Sequence, residues 1–208
     1  LLTAKSDVAN GPTNAEAMLK RSCSELSDAH CEDIIATIIG AMNMSEADKV
    51  SLVVTAPPSF SINARTTMNV VQSMINGAER NILITGYSLS SYFSELVDTI
   101  VLKSQRGVFV KFFVNDIDKQ QGFDKILRYK GRFLKIYNYH QDDDKMAALH
   151  AKVISVDQQQ TLITSANLSY HGQQGNIELG TLIESKQIAK QIDDVFTKMI
   201  FSKVFSEV

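Results

Sequence analysis

The sequence predicts an α/β fold: a mixed sheet flanked by helices, preceded by a small N-terminal helical cap. Three observations predict it. Apolar residues between Thr13 and Met44 recur at helical spacing, as in Ile34, Ile35, Ile38, Ile39 and Met42. From Ser51 onward, short β-branched and apolar runs alternate with longer amphipathic stretches, the pattern of strands covered by helices. A chain of 208 residues can bury one substantial core but is too short for two full domains of ordinary size.

In chain order, the first ten residues and Gly11-Pro12 read as a flexible arm, and residues 13–44 as a cap of about two helices. Asn43-Met44-Ser45 offers a helix stop and a new N-cap at Ser45. The boundary expected is therefore an arm and cap over 1–44 and the main domain over 45–208. Residues 51–55 form a β-branched strand that Pro57-Pro58 ends. Residues 64–76 read as a helix, 81–85 as a buried strand, 92–105 as a helix and 108–114 as a strand. A weaker helix follows over 119–130, then a strand over 133–139. Residues 150–156 and 161–164 make a hairpin around Gln158-Gln159-Gln160, 176–183 add a strand, and 188–201 close the chain as an amphipathic helix.

Composition narrows the functions available. A formal charge of −2 gives no global attraction to nucleic acid or anionic membrane, so any phosphate-binding surface is local. No stretch approaches the roughly 20 apolar residues that cross a bilayer, and Leu1 to Pro12 lacks a basic-then-apolar signal pattern. Cys23 and Cys31 lie eight residues apart in a segment read as helical. That spacing rises about 12 Å, beyond disulfide reach. Two reduced thiols favour a cytoplasmic location, and membrane association is not expected.

The chemistry concentrates in Leu149-His-Ala-Lys-Val-Ile-Ser-Val-Asp157 and Thr164-Ser-Ala-Asn167. Side chains alternate faces in an extended strand, so His150 and Lys152 point the same way while Ala151 and Val153 turn beneath. An imidazole and a fixed cation on one surface suit attack on a phosphodiester, the nitrogen meeting phosphorus while positive charge holds the non-bridging oxygens.

This spacing of His, Lys, Asp and Ser-x-Asn resembles the HKD motif of the phospholipase D superfamily, and Asn176-Ile-Glu178 resembles the Asn-x-Glu segment that follows it there. The resemblance implies a phospholipase D-like sheet and a set of roles. His150 would attack phosphorus to form a phosphohistidine, and Lys152 and Asn167 would bind phosphoryl oxygens. Ser165 would add a hydroxyl donor, Glu178 would orient an imidazole, and Asp157 would hold the turn. No metal or other cofactor is required by that scheme. Family enzymes use two such motifs and this chain has one; His30, His140 and His171 have no Lys two positions on. A homodimer bringing two copies of His150 together is therefore expected.

The family's reaction is a better-defined implication than its substrate. Short single-motif members that dimerise resemble the nuclease branch, which implies DNA as substrate. Pro57-Pro58, Arg65-Thr66-Thr67, Gly86-Tyr87-Ser88 and Asn176-Ile-Glu-Leu-Gly180 are together similar to the phospholipase D-like proteins of DISARM antiphage systems, which implies other defence proteins as partners. A lipid-directed phosphodiesterase or transferase stays open, as does an idle interaction subunit that docks a partner through its N-terminal helices. Between Lys103 and Lys135 nine Lys and Arg stand against three Asp, and Lys111, Arg128 and Arg132 are the expected contacts to a nucleic-acid backbone. Asp142-Asp143-Asp144 reads as a solvated loop near the site, His171-Gly172 as a turn within reach of substrate, and Tyr87 and Ser88 as residues that could reach the cleft.

Overall fold

A computed structural model of the chain describes residues 11–44, 48–57, 63–86, 94–120, 123–141 and 146–208, the side chains of 11–16 and 41–44 excepted. The chain divides into two compact units, Leu1–Ala47 and Asp48–Val208.

The first unit holds α1 (Gly11–Ser22) and α2 (Asp28–Met44). Gly11 and Pro12, expected in an arm, instead open α1, where proline's fixed φ and missing N–H cost nothing. Cys23 lies in the turn between the helices, so the continuous helix assumed for the two thiols is broken there; both are free, Cys23 exposed and Cys31 buried. The N-cap expected at Ser45 lies outside the described residues.

The second unit is built on one sheet. Its strands are β1 (Lys49–Thr55), β2 (Arg65–Thr66), β3 (Asn81–Gly86), β4 (Phe109–Asn115), β5 (Leu134–Tyr139), β6 (Val153–Val156), β7 (Gln160–Thr164), β8 (Glu178–Glu184) and β9 (Ser206–Glu207). Their spatial order is β2-β1-β8-β7-β6-β3-β4-β5-β9. β3, β4 and β5 run parallel to one another, while β6, β7, β8 and β1 pair antiparallel in succession. The helices are α3 (Thr67–Gly77), α4 (Ser94–Gln105), the short α5 (Asp124–Leu127) and α6 (Lys186–Phe201).

Strand alternation sorts the core into two layers. Ile82 and Ile84 of β3, Val110, Phe112 and Val114 of β4, and Leu134 and Ile136 of β5 meet the apolar stripes of α3 and α4, with Phe123 and Ile126 filling the gap under α5. Their alternates Leu83, Phe113 and Tyr137 face the other way, toward Phe196 of α6 and Phe205. Phe113 is the hub there, its ring 4.6 Å from Phe196, 4.9 Å from Phe205 and 5.1 Å from Tyr137. Hydroxyl caps start two of the helices: Thr66 Oγ1 accepts from Asn69 N at 3.4 Å, and Ser185 Oγ from Ile188 N at 3.3 Å.

Several boundaries shift for local reasons. The helix expected from residue 64 begins at Thr67, because Arg65 and Thr66 pair with β1 first. The weak helix over 119–130 resolves into a 3-10 turn at Ile117–Lys119 and the single turn of α5. β9, too short to show a period, adds to the β5 edge, where Glu207 meets Lys135 at 2.5 Å.

Candidate active site

The carboxyl ends of the parallel strands β3, β4 and β5 lie along one edge of the sheet. The antiparallel strands bring the start of β6, the end of β7, the start of β8 and the end of β1 to the same edge, since Val153 stands opposite Ile163 and Glu178 opposite Thr55. Crevices at such an edge are where open α/β sheets place their ligands.

On its β3–β4 side the run from Leu149 to Lys152 is held there by side chains, while on the β7 side Thr164 N donates to Lys152 O at 3.1 Å. Leu149 N donates to Asn115 Oδ1 at 2.8 Å. Thr85 Oγ1 donates to Ala151 O at 2.7 Å and accepts from Val153 N at 2.8 Å. A hydroxyl thus takes the place of a backbone rung, which is why β6 begins at Val153 and not at His150 as expected. The shared direction of His150 and Lys152 survives this. Lys152 Nζ sits 3.3 Å from His150 Nδ1 and donates to His150 O at 2.9 Å. Burial pushes the Lys152 pKa below its ordinary 10.5, against the pull of the nearby Glu178 carboxylate.

Ser165 and Asn167 follow β7. Ser165 N donates to Leu179 O at 3.0 Å, Leu179 N donates back to Ser165 Oγ at 3.2 Å, and that hydroxyl donates to Glu178 Oε2. Asn176 Nδ2 donates to Glu178 Oε1 at 3.0 Å, so both carboxylate oxygens are engaged. Gly180 permits this approach: a Cβ there would stand 2.7 Å from both Ile163 O and Thr164 Cβ. Asn167 Oδ1 is buried and has no hydrogen-bond partner among the described residues.

A π-helical turn, His171–Gly175, clamps the Asn167 backbone from outside. Gly172 packs so tightly that a Cβ would lie 2.3 Å from Asn167 O. Gln173, buried, donates through Nε2 to Asn167 O at 3.0 Å. Thr55 Oγ1, 2.8 Å from Thr67 Oγ1, lies 3.0 Å from Gly172 O and ties the turn to β1. Single π-turns are frequent at functional sites. This support was missed in sequence, where Gly172 read as a turn residue; Asn115 and Thr85 left no signal beyond a polar residue at a strand end.

The structure thus brings together His150, Lys152, Ser165, Asn167 and Glu178, and sets the other expected residues apart. Asp157 stands at the opposite end of β6, where its carboxylate accepts from Glu79 N, Arg80 N and Asn81 N at 3.0, 2.7 and 3.0 Å. These bonds hold a turn whose Asp157 and Gln158 have φ of 55° and 54°. Lys111, expected on a nucleic-acid backbone, is instead half-buried under α6, its ammonium 2.7 Å from Asp193 and 3.1 Å from Thr197. Arg128 and Arg132 are exposed but precede β5, at the amino ends of the parallel strands and away from His150. His171 is exposed on the π-turn. Asp142-Asp143-Asp144, Tyr87 and Ser88 lie outside the described residues.

Comparison with known proteins agrees with this fold. Residues 71–200 match the family model described as "Cardiolipin synthase, PLD-like domain". The chain is 32% identical over 171 residues to the DISARM protein DrmC of Bacillus paralicheniformis, a match covering 80% of this chain and 69% of that one. Its fold is similar to that of Nuc, a phospholipase D family member from Salmonella typhimurium, with a TM-score of 0.59 at 18% identity over 78% of this chain and 99% of Nuc. NucT from Helicobacter pylori gives 0.60 at 18% identity, over 75% and 98% of the two chains.

Proposed function

This chain belongs to the phospholipase D-like family and is a homologue of DrmC, and from that premise we propose that it is a metal-independent DNA endonuclease acting in antiphage defence. The observation that carries the reading is the convergence of His150 and Lys152, 3.3 Å apart, on a sheet edge shared with Asn167 and the Ser165–Glu178 pair. The likeness to a DISARM protein supports the defence context.

The residues divide the chemistry. A neutral His150 forms the N–P bond while the bond from phosphorus to the leaving oxygen breaks. His150 of a second copy, protonated, gives that oxygen its proton, then takes one from the water that attacks the phosphohistidine and frees the first imidazole. Lys152 offers a cation already partly desolvated, so less of its hydration must be shed when a phosphoryl oxygen arrives. With Oδ1 buried, the Asn167 amide hydrogens are the part left for substrate. Glu178 keeps a carboxylate beside this constellation to orient an imidazole, with Ser165 fixing its rotamer.

The family description favours a second substrate, a phospholipid, handled by the same residues. One experiment separates the two. Labelled single- and double-stranded DNA and phospholipid vesicles are each offered to the purified protein in excess chelator, beside His150→Ala. DNA cleavage that persists in chelator and vanishes in the variant is expected. Turnover of lipid alone would reassign the substrate, and cleavage that the variant retains would remove His150 from the reaction.

A further inference from the structure

Between α3 and α4, on the sheet face opposite α6, lies a cleft of about 270 Å³. None of His150, Lys152, Ser165, Asn167 or Glu178 lines it. Helical spacing explains its shape. Met68, Gln72 and Asn76 stand four residues apart along one stripe of α3, and Glu95 and Thr99 repeat that spacing on α4. Eight residues of helix make the slot about 12 Å long. Val71 and Leu168 are the buried apolar part of its lining, and Leu96 of α4 is half-buried.

The polar lining points to a ligand. Gln173, only 7% exposed, lines the same cleft. Its Nε2 is committed to Asn167 O at 3.0 Å, and no described residue donates to its Oε1. A buried acceptor of this kind is costly until a ligand or water supplies the donor. Gln72 and Asn76 are exposed at the rim, each carboxamide offering a donor and an acceptor. Among the described residues lining the cleft, Glu95 carries the only charge, and a carboxylate accepts hydrogen bonds without donating them. The cleft therefore favours a ligand that carries an amino group and disfavours an anion, the reverse of a crevice that presents Lys152.

We propose that this cleft binds an amino-bearing nucleobase, carried as a free base or nucleoside without phosphate. Carboxamides match the paired donor and acceptor on a base edge, and a carboxylate accepts from an exocyclic amine. The apolar side chains cover the ring. The volume lies just under the ~300–1,000 Å³ usual for small-molecule sites, so the ligand is no larger than a nucleoside. Its donor bonds the same carboxamide that holds Asn167 O, which joins this site to the support of Asn167 without any contact with the phosphodiester.

Calorimetry on the full chain tests the proposal with adenosine, inosine and AMP. Adenosine is expected to bind with a Kd of about 0.1 mM or tighter. Inosine, with a carbonyl in place of the amino group, and AMP, with its phosphate, should each bind at least about tenfold more weakly. Glu95→Gln, whose amide can donate to that carbonyl, should erase the preference for adenosine over inosine. Thr99→Phe should fill the slot and weaken adenosine by at least about tenfold. An azido-adenosine photoprobe on wild type should label α3 or α4, a result that does not depend on either variant folding. No saturable binding of adenosine, labelling confined to other segments, or affinities that neither variant moves would overturn the site. AMP binding as tightly as adenosine would overturn the phosphate-free class. None of these readouts needs DNA cleavage, so this proposal and the nuclease reading stand or fall separately.

Discussion

The two ends of the sheet use polar and charged side chains to opposite ends. At the edge holding the β6–β7 turn, Asp157 is saturated by three backbone amides, and Lys103 Nζ donates to Asn76 O and Ala78 O at 2.5 and 2.8 Å. At the candidate active-site edge, Asn167 Oδ1 is buried without a partner among the described residues, and Lys152 is held below its ordinary pKa by desolvation. Satisfied polar groups stabilise a turn. A buried acceptor without a donor costs stability, and a cation partly desolvated beside a crevice is poised for an anionic ligand. Mutations at the two ends should therefore separate activity from stability.

The largest expected effect is on activity. His150→Ala and Lys152→Met should each lower DNA cleavage by about a thousandfold or more, while the thermal midpoint of Lys152→Met holds or rises because a partly desolvated charge is removed. A Lys152→Met protein that melts well below wild type would erase the contrast. Asp157→Ala should behave inversely. Losing three amide bonds to a carboxylate at a positive-φ turn should cost about 2 kcal/mol, a fall of roughly 4–8 °C in a protein this size. Its folded fraction should keep turnover near wild type, and a turnover loss rivalling that of His150→Ala would return Asp157 to the site.

Gly172→Ala sharpens the comparison by acting on the support of Asn167 alone. Its Cβ would meet Asn167 O at 2.3 Å, so the loop must shift, and turnover should drop about tenfold or more with roughly 1–3 kcal/mol of stability. Unchanged kinetics would show that the π-turn does not position Asn167. The smallest effect is on pH dependence. Lys152 has a depressed pKa, so it loses its proton, and with it phosphate binding, at a pH below the ordinary lysine value of 10.5. The alkaline limb of activity should accordingly begin below that value and vanish from the residual rate of Lys152→Met.

These contrasts also mark what the sequence could disclose. His150, Lys152, Ser165, Asn167 and Glu178 were legible because fixed spacing on successive strands carries their relation. Strand and helix order was legible from the 2.0 and 3.6 periods of the core. The π-turn, the hydroxyl rung at Thr85 and the Asn115 bond to Leu149 were not: the turn is one local i→i+5 backbone bond, the other two join residues distant in sequence through one side chain, and none leaves a period. The basic segment raises a related point. Charge counts ignore partners, and Lys111, Lys119, Lys125 and Lys135 are paired with Asp193, Asp116, Asp98 and Glu207.

The most direct test of the central claim, that two copies of His150 serve one site, is activity in mixed dimers. Wild type and His150→Ala are co-expressed with distinct tags at equal levels, and cleavage per subunit is measured on the randomised population. A shared site needs both imidazoles, so activity should fall to about one quarter of the all-wild-type rate. A value near one half would mean that each chain works alone, and would contradict the account.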